Sequence, residues 1–103
     1  MKIIGTIKSV FASADANGNQ RNFNGNDGKQ YFVYNAIVSR KSDSGVEDTF
    51  LCEIFRESNN ELPYAEFIGK DIPLSMTIYF NVREYNGRYF QSMKLSNVMQ
   101  QVQ

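Results

Sequence analysis

Two short stretches of the chain combine aromatic rings with cationic side chains. In the first, RNFNGNDGK, Phe23 stands between Arg21 and Lys29. The second, REYNGRYF, runs from Arg83 to Phe90 and has a Tyr and an Arg on each side of an Asn-Gly pair. Aromatic rings stack on planar groups, and Arg and Lys pair with anions. These stretches therefore favour binding chemistry over bond-making chemistry.

The residue types that most enzymes use are scarce in this chain. It has no histidine and one cysteine, Cys52, so a His general base, a Cys–His pair and a His/Cys zinc site are excluded. The Asp and Glu residues are scattered, and none falls in a recognisable acid–base or metal motif. We therefore expect no enzymatic activity, no cofactor and an inert core thiol at Cys52. An enzyme with a carboxylate site in a barrel remains a further alternative.

The overall charge limits how the chain could bind a polyanion. Eleven Lys and Arg balance eleven Asp and Glu, giving a formal net charge of zero. This balance argues against a polycation that coats nucleic acid by charge alone. A nucleic-acid binder of this composition must gather its cations on one face and draw part of its affinity from stacking.

The elements that must position these residues are predicted to be β-strands. Alternating or β-branched and aromatic patterns predict five of them, at residues 2–14, 31–41, 46–57, 71–85 and 88–98. The sequence leaves open which face of the second strand is buried. The chain has no apolar run long enough for a membrane helix.

Three further segments connect or end these strands. Residues 15–30 are dense in Asn and Gly and predict a long flexible loop. Residues 59–67 predict a short helix with an Asn cap and a stop at Gly69. Residues 99–103 form a short polar tail.

The order of three strands, a short helix and two strands predicts the fold. It is the plan of the OB-fold, a five-stranded Greek-key barrel whose loops between strands one and two and strands four and five bind oligonucleotides. Both basic-aromatic stretches fall in those two loops. We therefore predict a single all-β OB-fold domain over residues 1–103. An SH3-like barrel is the alternative, and it has no natural place for the helix.

The second stretch predicts a hairpin with a defined register. Asn86-Gly87 favours a two-residue type I′ turn, which pairs Tyr85 with Arg88. One face then carries three cation–ring pairs, Tyr79 with Lys94, Arg83 with Phe90 and Tyr85 with Arg88. The other face, predicted to lie in the core with Tyr89 structural, carries Ile78, Phe80, Val82, Tyr89, Met93 and Leu95. Alternatively, the cation–ring pairs only stabilise the hairpin.

The candidate nucleic-acid-binding residues come from both stretches and the strands beside them. We predict that bases stack on Phe55, Tyr79, Tyr85 and Phe90. We predict that phosphates contact Arg21, Lys29, Arg40, Arg83, Arg88 and Lys94. Phe23, which stands between Arg21 and Lys29, is a further candidate. Phe55 could instead be covered by the predicted helix. Tyr31 and Tyr34 lie on opposite faces of their strand, so at most one of them is on the binding side.

Several segments resemble single-stranded DNA-binding proteins of OB-fold type. NAIVSRK, EDTFLCEIF, a helix ending in Gly69 and REYNGRY are similar to the bacterial family. By this resemblance Phe50, Phe55 and Tyr85 match its base-stacking aromatics and Arg83 a basic residue of its hairpin arm, although strand facing places Phe50 in the core. GKQYFVYNAIV and LPYAEFIGK also resemble the smaller, dimeric proteins of filamentous phages.

The resemblance implies a function. It implies sequence-nonspecific binding of single-stranded DNA in replication, recombination or repair, with binding of RNA left open. The absence of Trp and the ending NVMQQVQ in place of an acidic tail fit a phage or mobile-element version. The alternative is an OB- or SH3-like module that uses the aromatic hairpin as a protein interface.

We also expect the chain to assemble with itself in the cytoplasm. A small neutral domain needs cooperative assembly to hold a long strand, which predicts a homodimer or homotetramer, with Val33 and Ile37 as a possible contact. A single cysteine is compatible with the cytosol. Lys8 and Ser9 interrupt the apolar N-terminal run too early for a signal peptide, and no membrane partner is expected.

Overall fold

The computed structural model describes residues 1–100, and residues 101–103 of the predicted tail lie outside the described residues. The prediction of an all-β chain is confirmed. The strands are β1 (Lys2–Ala12), β2 (Asn22–Asn24), β3 (Gln30–Lys41), β4 (Glu47–Arg56), β5 (Leu74–Tyr85) and β6 (Arg88–Gln100). The last strand therefore continues into the predicted tail. No helix within residues 1–100 is long and apolar enough to cross a membrane.

Five of the six strands are joined in a ring within one mixed sheet. β1 pairs antiparallel with both β3 and β5, β3 pairs with β4, and β5 pairs with β6. A single parallel pair, Glu53 with Lys94, joins β4 to β6 and completes the ring. β2 pairs with β3 outside this ring.

The core lies on the inner side of the ring. Because successive side chains of a strand point to opposite faces, one face of each strand supplies it. Its fully buried members include Ile7, Tyr34, Val38, Cys52, Ile54, Leu74, Met76, Ile78 and Leu95. Tyr34 and Val38 thus identify the buried face of β3, which the sequence left open. Phe50 packs half-buried against the same cluster, as strand facing predicts.

Val33 points away from the core cluster and is nevertheless only 2% exposed. The segment before β2 covers it: the Val33 amide donates to the Arg21 carbonyl at 2.9 Å, and the Ser13 amide and Gln20 Nε2 both donate to the Val33 carbonyl. The expectation that Val33 contacts a second subunit is therefore wrong. Ile37, on the same face, is partly exposed.

Residues 15–30 contain more structure than the predicted loop. The three residues of β2 pair with β3, with Phe23 opposite Tyr31. Two Asx turns order the flanks, since Asp15 Oδ1 accepts from the Asn17 and Asn19 amides and Asp27 Oδ1 accepts from the Lys29 amide. The sequence did not predict β2 because Asn- and Gly-rich composition is typical of loops. The residues that stabilise β2 lie on another strand, β3.

A single 3₁₀ turn, Ala65–Phe67, stands where the sequence predicts a short helix. The residue before it, Tyr64, has φ 56° and ψ 31°, in the left-handed region. A left-handed residue cannot continue a right-handed helix, and Pro63 disfavours helical backbone at the residue preceding it. The turn therefore cannot extend back to the Asn residues that were expected to cap it.

The hairpin of β5 and β6 has the predicted register at every pair from Ile78–Leu95 to Tyr85–Arg88. Asn86 and Gly87 both have positive φ, 51° and 77°, as a type I′ turn requires.

The predicted burial of one hairpin face is wrong for three residues beyond Ile78. Phe80, Val82 and Tyr89 are all exposed, and Tyr89 is 72% exposed, so it is not a core residue. Met93, on the same face, is partly buried against the core, as predicted. The hairpin extends past the ring, where there is no core for this face to meet. Its outer half is a two-stranded ribbon that exposes both faces to solvent.

Candidate nucleic-acid interface

Two grooves on the outer surface meet at a pair of aromatic rings. Phe23 from β2 and Phe55 from β4 pack edge to face, with ring centroids 5.0 Å apart and planes at 84°. Both rings line both grooves. We call the larger groove, of about 970 Å³, the hairpin groove, and the smaller one, of about 590 Å³, the Tyr64 pocket.

The hairpin groove lies between the outer faces of β3 and β4 and the projecting part of the β5–β6 hairpin, at Arg83 and residues 90–93. Five predicted residues from three distant segments line it, namely Arg21, Phe23, Phe55, Arg83 and Phe90. Polar and apolar side chains of the strands, including Asn35, Leu51 and Glu53, form the rest of its surface. The groove thus presents three rings and two guanidinium groups on one concave surface.

The Tyr64 pocket lies on the other side of the two rings. Phe23 and Tyr31 stack in one wall, with centroids 5.6 Å apart and planes at 27°. Lys94 Nζ lies 5.1 Å from the centroid of the Phe55 ring. The Arg56 guanidinium lies 4.9 Å from the centroid of the Tyr64 ring. Each cation is therefore held against an aromatic face at the edge of this cavity.

Three of the predicted phosphate-binding cations already pair with carboxylates. Their ion pairs are Arg21–Glu53 at 3.0 Å, Lys29–Glu57 at 3.1 Å and Arg40–Asp48 at 3.0 Å. All three pairs are partly exposed, so another anion can replace the carboxylate at a modest cost in free energy.

The other three predicted cations lie on the hairpin without such partners. Within residues 1–100, no carboxylate oxygen lies within 4.0 Å of Arg83, Arg88 or Lys94. These three side chains are exposed. The hairpin therefore presents three predicted cations whose charge is not taken up by an ion pair within residues 1–100.

Some predicted residues lie outside the grooves. Tyr85 and Arg88 lie at the hairpin tip, and Tyr79 pairs across the strands with Lys94. Arg40 lies further along β3, with its guanidinium 5.6 Å from the Phe50 ring centroid. Lys29 lies beside the loop that borders the Tyr64 pocket. The grooves themselves bring together Arg21, Phe23, Phe55, Arg83, Phe90 and Lys94.

Sequence reasoning missed four residues of the Tyr64 pocket, namely Asp27, Tyr31, Arg56 and Tyr64. Because Tyr31 and Tyr34 lie on opposite faces of β3, only one of them could be on the binding side. Tyr34 is buried in the core, so Tyr31 is the one that lies outside it. The sequence could not predict Tyr64 as a site residue, because the position of its ring depends on a left-handed backbone for which the sequence has no marker.

Asp27 is the acidic residue that lines the Tyr64 pocket. Its Oδ2 accepts a hydrogen bond from the Tyr31 hydroxyl, and its Oδ1 accepts one from the Lys29 amide at 3.0 Å. The Tyr31 hydrogen bond, with the Lys29 amide second, lowers the pKa of Asp27 below its ordinary value. The same bond raises the pKa of Tyr31. At neutral pH the pocket therefore contains a fixed carboxylate.

Among residues 1–100, no group of three or more His, Cys, Asp and Glu side chains is arranged to hold a metal ion. Comparison with protein-family models, with curated proteins and with solved structures found no match to the chain.

Proposed function

We propose that this protein binds single-stranded DNA without sequence specificity and catalyses no reaction. The observation that carries the proposal is the hairpin groove, in which Phe23, Phe55 and Phe90 lie beside Arg21 and Arg83. Base–ring stacking contributes about 1–3 kcal/mol per base and accepts any base, while cations along the groove follow the phosphates. The DNA must be single-stranded, because duplex bases are stacked on one another.

The order of the strands supports an OB-fold as the framework of this site. The ring runs β1–β3–β4–β6–β5 and back to β1. With β2 set aside, we propose that this order is that of a five-stranded barrel. OB-folds bind oligonucleotides across strands two and three and the loops between strands one and two and strands four and five. Under this proposal, those elements correspond to β3, β4, the segment that contains β2, and the hairpin. The hairpin groove lies among all four.

We further propose that the protein forms a homodimer or homotetramer through the back of the hairpin. Phe80, Val82 and Tyr89 are exposed there, on the face opposite the cation–ring pairs. Burying this surface against a second copy would remove apolar area from water and leave the binding face open. Assembly would place several grooves along one strand. Such a protein would serve replication, recombination or repair in the cytoplasm.

The same exposed face supports one alternative of a different class. A protein-interaction module would use the aromatic hairpin to hold a partner polypeptide, and its grooves would have no affinity for nucleic acid. Salt dependence separates the two functions, since phosphate contacts release counterions and hydrophobic contacts do not.

The test is a titration of the full chain with labelled oligo-dT, duplex DNA and RNA of equal length, at low and moderate salt. We expect oligo-dT to bind more tightly than duplex DNA, with an affinity that falls as salt rises. A Phe55→Ala/Phe90→Ala variant should bind at least about tenfold more weakly, given two stacking rings. A Phe11→Ala variant, which removes an exposed ring that lines neither groove, is the control. Absence of oligo-dT binding at low salt would refute the proposal.

A further inference from the structure

The Tyr64 pocket has the size and composition of a site for one nucleotide. Its volume of about 590 Å³ lies within the range of about 300–1,000 Å³ typical of small-molecule sites. The rings of Tyr31, Phe55 and Tyr64 offer stacking surfaces, and Arg56 and Lys94 offer positive charge. A base and its phosphate require these two kinds of group side by side.

The backbone at Tyr64 is an independent sign that this ring has a role. A bulky side chain with φ 56° is an outlier, because its Cβ crowds the neighbouring carbonyl. Strained residues of this kind cluster at functional sites, where the surrounding structure maintains them. Here the strained residue places its ring in the wall of the pocket, under the Arg56 guanidinium.

Asp27 adds a group that phosphate binding does not explain. Its carboxylate is oriented by the Tyr31 hydroxyl and the Lys29 amide. Gly25 makes this arrangement possible, since a Cβ at that position would lie 2.7 Å from Tyr31 Cε2 and 2.8 Å from Asp27 Oδ1. An ionised carboxylate accepts about four hydrogen bonds, so both oxygens retain acceptor capacity toward a ligand.

The carboxylate discriminates among the bases by charge and hydrogen bonding. It repels phosphate oxygens and the two carbonyl oxygens of thymine, and it attracts N–H donors. Guanine alone has adjacent ring N–H and amino donors, which match the two oxygens of a carboxylate. Cytosine and adenine offer one amino group each, and thymine offers one N–H between two carbonyl groups.

We propose that the Tyr64 pocket binds one base of the bound strand and prefers guanine, with Asp27 as the residue that determines the preference. This inference rests on the proposed function, because the pocket adjoins the groove that is to hold the strand. It adds a weak preference at one base to binding that is otherwise nonspecific. Phe23 and Phe55 separate the two cavities, so a strand leaving the hairpin groove crosses these rings to place its next base in the pocket.

The experiment compares two labelled oligonucleotides of equal length by fluorescence anisotropy with the full chain. One is oligo-dT, and in the other, isolated thymidines are replaced by deoxyguanosine at spacings that prevent quadruplex formation. We expect the guanine-containing strand to bind about fivefold more tightly, the lower end of the range for a bidentate contact because Asp27 is exposed. Asp27→Asn should reduce this ratio to about one.

Asp15→Asn is the matched control. Asp15 forms the same kind of turn in the same connecting segment, and it lines neither cavity. Both substitutions remove one negative charge, so a general gain in affinity for DNA should appear equally in both variants. Only Asp27→Asn should change the preference between the two strands. Circular dichroism confirms that both variants are folded.

Each result decides a different question. Equal binding of the two strands by the unmodified protein, or a guanine preference that survives in Asp27→Asn, refutes the base-specific pocket and leaves the proposed function intact. Absence of binding to either strand at low salt refutes both. A preference that is lost in Asp27→Asn and kept in Asp15→Asn supports the pocket.

Discussion

At Arg21, a carboxylate already occupies a position that a DNA phosphate would need. Arg21 Nη1 lies 3.0 Å from Glu53 Oε2 and 3.1 Å from the Ser13 hydroxyl, so its side chain is held at the rim of the hairpin groove. Glu53 itself lines that groove. A phosphate that binds Arg21 must therefore displace Glu53 or approach against its charge.

Replacing Glu53 with Gln should strengthen binding of single-stranded DNA. The substitution leaves Arg21 without its carboxylate partner and removes one negative charge from the groove. A partly exposed ion pair is worth about 0.2–1 kcal/mol, so we expect a gain of about 1.4- to fivefold in affinity. Equilibrium anisotropy with oligo-dT measures it.

Glu61→Gln is the control for this change. Glu61 is exposed, lines neither groove and forms no ion pair within residues 1–100. An equal gain in both variants would mean that the effect is one of net charge, and that Glu53 does not compete with DNA for Arg21.

Cys52 should make folding stability depend on alkaline pH. Burial raises the pKa of the thiol from 9.0 to about 11. Because the fold favours the neutral thiol, its stabilising contribution is complete below pH 9 and is lost as the pH rises toward 11, where the unfolded chain has already ionised. The free energy of unfolding from urea titrations should therefore fall over this range.

Cys52→Ala isolates the contribution of the thiol, since Tyr and Lys residues titrate in the same range. The variant should show a shallower decline between pH 9 and 11, whatever its stability at pH 8. Parallel declines in the two proteins would contradict the prediction.

At the scale of elements, the hairpin shows which structural features the sequence specifies and which it does not. Asn86-Gly87 determined the register because a two-residue turn with positive φ at both positions allows one pairing. Periodicity then assigned residues to faces correctly. It could not show that the core ends near Ile78, because the depth of a core depends on which other strands reach that point.

The two departures elsewhere have the same origin in tertiary contacts. β2 exists because its backbone pairs with β3 and because Phe23 packs on Tyr31 and Phe55. A single turn stands in place of the predicted helix because Tyr64 adopts a left-handed backbone. Composition and local propensity carry no information about the packing of β2 or about the backbone conformation of Tyr64. The Tyr64 pocket, which both elements border, was therefore the part of the candidate site that the sequence could not reveal.

Tyr85 and Tyr89 provide a matched test of the two hairpin faces. Both rings are exposed, 70% and 72%, and they lie on opposite faces near the same turn. Tyr85→Ala should weaken binding of a short, single-site oligo-dT about fivefold or more, because it removes one stacking ring. Tyr89→Ala should leave that affinity unchanged and shift the protein toward monomer in sedimentation velocity.

The reverse pattern would reassign the faces. Loss of oligo-dT binding in Tyr89→Ala with no change in Tyr85→Ala would mean that the apolar face holds the DNA. Loss of self-association in Tyr85→Ala would favour the protein-interaction alternative.

At the scale of the whole molecule, a net charge of zero still leaves three cations of the hairpin without carboxylate partners within residues 1–100. The Cα radius of gyration is 14.8 Å, above the roughly 13 Å expected for a compact chain of about 100 residues, consistent with a hairpin that extends beyond the ring. That projection bears Arg83 and Arg88, and Lys94 follows at its base. Arg21, Lys29 and Arg40, nearer the body of the molecule, are neutralised by carboxylates.

The small number of available cations beside the grooves predicts a shallow salt dependence of DNA binding. Each phosphate neutralised on a single strand contributes a slope of about −0.7 to log K against log salt. Four cations beside the grooves have no carboxylate partner within residues 1–100, namely Arg56, Arg83, Arg88 and Lys94. If they make the contacts, the slope should be about −2 to −3. Arg83→Ala/Arg88→Ala should reduce its magnitude by about 1.4, whereas Lys41→Ala/Lys70→Ala, which removes the same charge away from both grooves, should not. Equal reductions in the two double variants would show that net charge governs the attraction, and a slope near zero would show that phosphates are not contacted.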